Sequence, residues 1–262
     1  MTGVFTRKQL LRGNYTDNDI RRAVQSGTLT RIRPGWFATP LADPQTVEAV
    51  RLRGALSCAP ALQRHGFWVP PGYSGAHIRG PVPGGCRHHG RARPGDDAID
   101  AVALALACAA NCMTAEDFIV VADSVLCTKK MGIADLQRAL TGLISAKHQR
   151  LLEKCDPRSQ SGTETITRLR LRAANYKVVV QPRIPGVGHS DLRIGKLILE
   201  CDSKQHHTNL EDYERDRWRD RKSLLAGFVT IRLTYSMVIH QWAEVFADIQ
   251  AFTRADRHRK RC

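Results

Sequence analysis

The stretch HSDLRIGKLILECD constrains the fold more than any other part of the chain. Two apolar runs meet at Gly195-Lys196, and glycine in the first position of a two-residue turn is the signature of a type II′ hairpin. With that turn, Ile194 faces Leu197, Leu192 faces Leu199, and Asp191 faces Glu200. A slip of one residue would carry the whole apolar set to the opposite face, so the register is strongly specified. Alternation then puts Glu200, Asp202 and, if the strand continues, Lys204 on one face, with Leu197, Leu199 and Cys201 on the other. Like charges opposed across a ladder are destabilising unless something compensates them. Two compensations are open. A divalent cation such as Mg2+ (or Mn2+) takes carboxylate oxygens and keeps room for phosphate oxygens, which makes Asp191, Glu200 and Asp202 the candidate metal ligands. In that case Lys204 orients the attacking water or neutralises developing charge. Alternatively the hairpin is exposed and its acids pair with Arg183, Arg193 or Lys204.

The segments around this hairpin read in the order α-β-β-β-α-β-α. SGTETITRLRLRAANY opens with a Ser161/Glu164 capping-box spacing and carries Ile166, Leu169 and Ala173 on one helical stripe. Strands follow at KVVVQPRI, HSDLRIG and KLILECD, then a charge-dense helix, LEDYERDRWRDRKSLLAG, ended by Gly227. The strand FVTIRLTY and the amphipathic helix SMVIHQWAEVFADIQAF close the block. The fold class expected is therefore α/β (α+β). Glu164 has two competing roles, as a capping acid at the helix start or as a further ligand in the site. On the charged helix, Arg217 and Arg221 are candidates to reach phosphate, whereas Trp218 and Trp242 read as core. His206 and His207 follow the acidic strand, either as a surface pair or as a general base near the scissile phosphate.

The remainder of the chain divides into two blocks. Residues 1–40 read as two short helices, the second capped by Thr16 and stopping at Gly27, followed by an alternating segment around the turn Pro34-Gly35. Two helices and a β wing make a winged helix-turn-helix, with Arg21, Arg22, Arg31 and Arg33 placed to meet a duplex backbone. Residues 41–157 are Ala-rich and helical in pattern, with AVRLRGALSCAPALQRHG and DDAIDAVALALACAANC as helices and Asp96, Asp97 and Asp100 at a helix N-terminus. Residues 158–262 hold the acidic hairpin and end in a basic tail, RADRHRKRC.

Charge agrees with a polyanionic partner: 40 Lys and Arg against 25 Asp and Glu leave +15 over 262 residues. DNA is the first candidate, ahead of ribosomal or membrane-surface contact. The N-terminus lacks a signal-peptide core and no long uncharged apolar run occurs, so a cytoplasmic protein is expected. The eight cysteines form no CxxC pair and read as small hydrophobes. Cys86, His88 and His89 form a weak metal candidate, since a fourth ligand is not evident from spacing.

At the acidic hairpin the third block resembles the PD-(D/E)XK nuclease superfamily, and within it the very-short-patch-repair-like branch. The motif elements are a helix Glu (Glu164), a strand Asp (Asp191), an E-x-D-G-x-x-H string (Glu200, Asp202, His206) and a G-[WF]-x-V-x-R strand (GFVTIRL, with Arg232). The sequence departs from this pattern at Ser203, where the branch has Gly, and it lacks the proline before Asp191. Either ECD or DSK can serve as the (D/E)XK frame. The resemblance implies a Mg2+- or Mn2+-dependent deoxyribonuclease with Asp191, Glu200, Asp202, Glu164, Lys204 and His206 as its catalytic set. Through LTRIRPGWFA, the first two blocks resemble the AbiEi-type antitoxin family, which implies a DNA-targeting module and a setting in phage defence, repair or toxin–antitoxin control. A non-catalytic antitoxin-like regulator, and a homodimer or defence partner bound through the middle block, remain open at this stage.

Overall fold

The computed structural model of the chain describes residues 2–89, 97–202 and 210–254. The chain divides into two compact units, Met1–Ala122 with Ala134–Glu153, and Asp123–Ile133 with Lys154–Cys262. Blocks 1–40 and 41–157 thus share one unit for most of their length.

The first unit opens with β1 (Val4–Thr6), α1 (Arg7–Arg12), α2 (Asp17–Gln25), β2 (Thr30–Arg33) and β3 (Trp36–Ala38). Thr16 caps α2 through a complete capping box with Asp19, and the β2–β3 hairpin turns at Gly35, whose φ is 78°. β1 is an addition that the sequence did not announce; it pairs antiparallel with β3, giving the order β1-β3-β2. Leu10, Ile20, Leu29 and Phe37 form the core beneath the helix pair.

The rest of this unit is α3 (Pro44–Arg51), β4 (Ala55–Leu56), α4 (Cys58–Arg64), β5 (Ile78–Arg79), α5 (Val102–Cys112), α6 (Ala115–Lys129, running past the unit's edge), α7 (Ile133–Leu140) and α8 (Ala146–Leu151). One long helix was expected over 49–66; the chain instead forms helix, strand and helix. The cause is a close approach: Gly54 lies so near the β5 chain that a Cβ on it would meet Ile78 Cγ2 at 2.5 Å and the Arg79 carbonyl at 2.8 Å. Arg53, at φ 61°, turns the chain out of helix just before it, and β4 then pairs antiparallel with β5. The expected helix over 96–112 likewise starts only at Val102, because Ile99 bridges to Leu56. Asp100 is therefore not a helix-dipole acid but a buried partner of Arg79, with both contacts at 2.6 Å. Asp97 accepts from Gln9, and Asp96 lies outside the described residues.

The second unit carries α9 (Gly162–Ala173), β6 (Val179–Val180), β7 (Arg183–Ile184), β8 (Gly188–His189), β9 (Leu192–Ile194), β10 (Leu197–Asp202), α10 (Leu210–Leu225), β11 (Val229–Thr234), α11 (Tyr235–His240) and α12 (Trp242–Arg254). Its sheet has the order β11-β10-β9-β6. The β9–β10 pairing is Ile194 with Leu197 and Leu192 with Leu199, the register read from the sequence, with Gly195 at φ 59° in the turn. β10 and β11 are parallel and are joined through α10, the crossover that a parallel pair requires.

Three details differ from expectation. KVVVQPRI is two strands, broken at Gln181 (φ 48°), because Pro182 lacks an N–H for the ladder; β7 leaves to pair with β8. The closing helix is two helices, broken at Gln241, whose φ of −123° leaves the helical range; beside the break the Val238 carbonyl accepts from the Arg170 guanidinium at 2.8 Å. Finally, the start of α9 is buried all round from Gly162 to Arg168; of the predicted stripe Ile166 is in the core, Leu169 is half-buried and Ala173 is exposed. Arg168 is fully buried there and ion-pairs with Asp123 at 2.6 Å, and Asp123 also accepts from Thr165 and the Asp156 amide. No helix among the described residues is long and apolar enough to cross a membrane.

Candidate active site

Helix α9 delivers Glu164 into the second unit. The Ser161 hydroxyl accepts the Glu164 amide at 3.1 Å, as an N-cap does, which places the glutamate in the first turn with only 3% of its surface exposed. Its carboxylate Oε2 accepts from the Gln160 amide and from Gln181 Nε2, both at 3.0 Å. The reciprocal bond of a capping box, from the Ser161 amide to this carboxylate, is not formed; the oxygen meets the Gln160 amide, one residue earlier, and the Gln181 side chain instead. Gln181 reaches this position through the strand break: its own amide donates to the Asp191 carbonyl at 2.8 Å, and its side chain spans both acids, reaching Asp191 Oδ1 at 3.4 Å.

The β9–β10 ladder ends at Leu192 and Leu199. Beyond it, side chains take over from backbone pairing. Asp191 Oδ2 accepts the Cys201 amide at 2.8 Å, and the Asp191 amide donates to Glu200 Oε2 at 3.4 Å. Glu200 Oε1 lies 3.5 Å from the Arg219 guanidinium, which also donates to the His189 carbonyl. Glu164, Gln181, Asp191, Glu200 and Arg219 thus form one connected line of donors and acceptors drawn from α9, the break after β6, the residue before β9, β10 and α10.

Burial sets the electrostatics. The Glu200 carboxyl is pushed from an ordinary value near 4.5 up to about 7, first by burial and then by the negative charge of Asp191, with Arg219 opposing. Glu164 is also pushed up to about 7, first by burial and then by Asp191, with the Gln160 amide and Gln181 opposing. A buried acid that titrates near neutrality beside a like charge is the arrangement expected where proton transfer or cation binding takes place. Of the basic residues that could pair with these acids, Arg193 donates to the Gly195 carbonyl, Arg183 is exposed, and Lys204 lies outside the described residues.

Carboxylate oxygens are the donors a hard cation prefers, but among the described residues the ligand atoms that close to within 4.8 Å of one another as a group of three or more belong to a Cys/His cluster of the first unit and not to Glu164, Asp191 and Glu200. Asp202 ends β10, but its side chain, together with Lys204 and His206, lies outside the described residues, as do Ser203 and His207. Among the α10 arginines whose side chains are described, Arg217 and Arg221 are exposed, Arg217 lies 3.7 Å from Asp220, and Arg219 reaches Glu200. Arg232 pairs with Asp220 at 2.9 Å. Trp218 is 44% exposed rather than core, and Trp242 is half-buried, stacked on Phe246 under Arg170.

In the first unit, Arg21, Arg22 and Arg31 are exposed on α2 and the hairpin, with Arg22 paired to Asp19 at 3.0 Å. Arg33 departs from this group: its guanidinium stacks over the Trp36 ring at 5.1 Å, so it braces the hairpin. Two site residues, Gln181 and Arg219, were not anticipated. The signal for Gln181 was present, a lone polar residue before a proline in an apolar run. Arg219 stood among alternating arginines that periodicity alone does not separate. Comparison with protein-family models, curated proteins and solved structures finds no match to this chain.

Proposed function

We propose that the second unit is a metal-dependent deoxyribonuclease domain of the PD-(D/E)XK type, to which the basic helix pair and hairpin of the first unit deliver duplex DNA. The observation that carries this is that buried Glu164 from a helix, half-buried Asp191 from the residue before β9 and half-buried Glu200 from β10 are joined in one hydrogen-bonded line. Asp191 and Glu200 would hold Mg2+ or Mn2+, with Glu164 and Asp202 beside them. Bound there, the cation supplies a Lewis acid for the phosphate and acidifies its water.

The protein's own groups have distinct tasks. Gln181 holds the Glu164 and Asp191 carboxylates in fixed orientation through one amide. Arg219 offsets part of the negative charge at Glu200. Glu164, titrating at about 7, is suited to exchanging a proton at its carboxylate near neutral pH. Supercoiled, linear and single-stranded substrates incubated with Mg2+ or Mn2+ should be cut by the native chain and left intact by Asp191→Ala with Glu200→Ala. Undiminished cutting by that double variant rejects the site.

A second reading has its own support. Each of the three carboxylates already meets donors, namely Cys201 N–H, Gln160 N–H, Gln181 and Arg219, so the network is coherent without a cation. In that case the unit is a scaffold for a DNA-binding regulator. Metal-independent, sequence-specific binding without cleavage on any substrate would favour it.

A further inference from the structure

The first unit contains a cluster unrelated to the acidic line. Cys58, His77, Cys86 and Cys112 each offer one ligand atom, and all four atoms lie within 4.8 Å of one another. We propose that these residues form a closed Cys3His zinc site.

Distances decide between this and simpler accounts. Zinc sits about 2.3 Å from thiolate sulfur and about 2.0 Å from imidazole nitrogen, so a tetrahedral site has sulfur–sulfur edges of about 3.8 Å and sulfur–nitrogen edges of about 3.5 Å. Cys86 Sγ lies 3.5 Å from Cys112 Sγ and 3.5 Å from His77 Nδ1. A disulfide needs about 2.05 Å, so the Cys86–Cys112 spacing is that of two ligands on one centre rather than a bond. Cys58 and Cys86 are buried, and His77 and Cys112 half-buried, so the cluster is screened from bulk water. Three sulfurs and one imidazole complete a tetrahedron without an open position, which defines a structural site. Such soft donors exclude Mg2+ and favour zinc among common divalent ions.

The fold brings the four together from separate elements. The Ser57 amide donates to the His77 carbonyl at 2.8 Å, extending the β4–β5 contact and setting His77 beside Cys58. The Cys86 amide donates to the Ile78 carbonyl, also at 2.8 Å, so the loop after β5 folds back onto that strand. Cys112 ends α5, and its neighbour Asn111 donates to the carbonyl of Arg87, next to Cys86, at 3.1 Å. Cys58 itself holds φ at +53°, a left-handed conformation that a side-chain-bearing residue seldom adopts and that aims its sulfur at the cluster's other atoms. The two histidines first considered with Cys86 are not in the set: His88 Nδ1 meets the His89 carbonyl at 2.9 Å, and His89 is exposed.

The test uses the full chain, expressed with zinc and purified under reductant, with bound metal measured by plasma mass spectrometry. About one zinc per chain is expected, as a single closed site holds one ion. Cys58→Ser, Cys86→Ser and Cys112→Ser should each lose it, while His88→Ala with His89→Ala retains it. Reloading the native chain with Co2+ should give thiolate-to-cobalt charge transfer and the intense ligand-field bands of a tetrahedral centre, a readout that does not depend on any variant folding. A reduced native chain that neither holds zinc nor shows that spectrum overturns the proposal, and so does zinc persisting in Cys86→Ser with Cys112→Ser.

Discussion

Replacing Asp191 with Asn removes one charge from between Glu164 and Glu200 while leaving an oxygen to accept the Cys201 amide, now at 2.8 Å. Both glutamates are raised from near 4.5 to about 7. At about 1.4 kcal/mol per unit, a shift of about 2.5 units is a ceiling of about 3.4 kcal/mol for each group. Burial is the larger cause and Asp191 the second, so relief of the Asp191 part should return about 1 kcal/mol for the pair. The sign follows from proton counts. Below pH 4.5 the glutamates are neutral in both states and contribute no penalty. Between 4.5 and 7 the unfolded chain has released protons that the folded chain keeps, so unfolding free energy falls as pH rises through that window. Asp191→Asn should flatten this fall. Urea unfolding followed by far-ultraviolet circular dichroism, for parent and variant at pH 5 and pH 8, measures it. The variant should gain about 1 kcal/mol on the parent between the two pH values, even if the exchange itself costs some stability at both. A parent–variant difference that is flat with pH, or that moves the other way, would refute the electrostatic account of the site.

Two further outcomes are expected. Asp123→Ala should cost about 3–5 kcal/mol in urea unfolding, because it strands the fully buried Arg168 cation, whereas Asp123→Leu with Arg168→Met should cost less than either single loss; additive costs would count against this. For duplex binding, Arg21→Ala and Arg31→Ala should each lower the slope of affinity against salt by about 1 across all sequences, measured by fluorescence anisotropy. Arg33→Ala should leave that slope alone and loosen the hairpin, since its guanidinium rests on Trp36; unchanged slopes for Arg21 and Arg31 would remove them from the interface.

What was legible in the sequence was what short-range physics fixes. The Gly195-Lys196 turn dictated the Asp191–Glu200 juxtaposition because a two-residue hairpin leaves no freedom of register. Thr16, Ser161 and Gly35 announced their caps and turn through local chemistry. What stayed hidden depends on contacts between distant segments. The break at Gly54 comes from the approach of β5, and nothing nearby in sequence signals it. The split of the last helix falls where an arginine of α9 meets the Val238 carbonyl, a contact between segments far apart in the chain. Cys58, His77, Cys86 and Cys112 are too widely spaced to resemble a zinc motif, and only the folding back of the loop after β5 joins them. Gln181 and Arg219 likewise acquire their roles only once strand and helix ends are placed.

The pairing of Arg168 with Asp123 bears on how this chain can be dissected. Asp123 belongs to the second unit in space, yet it sits inside α6, far ahead of the residues around it. A fragment begun at Arg158, the cut suggested by the sequence blocks, would keep the arginine and discard its carboxylate. It would carry a cation with no solvent and no counter-ion, and would be expected to precipitate or unfold whatever the merits of its sheet. An excised version of this unit must therefore retain 123–133, either grafted by permutation or supplied as a separate peptide that complements the larger piece.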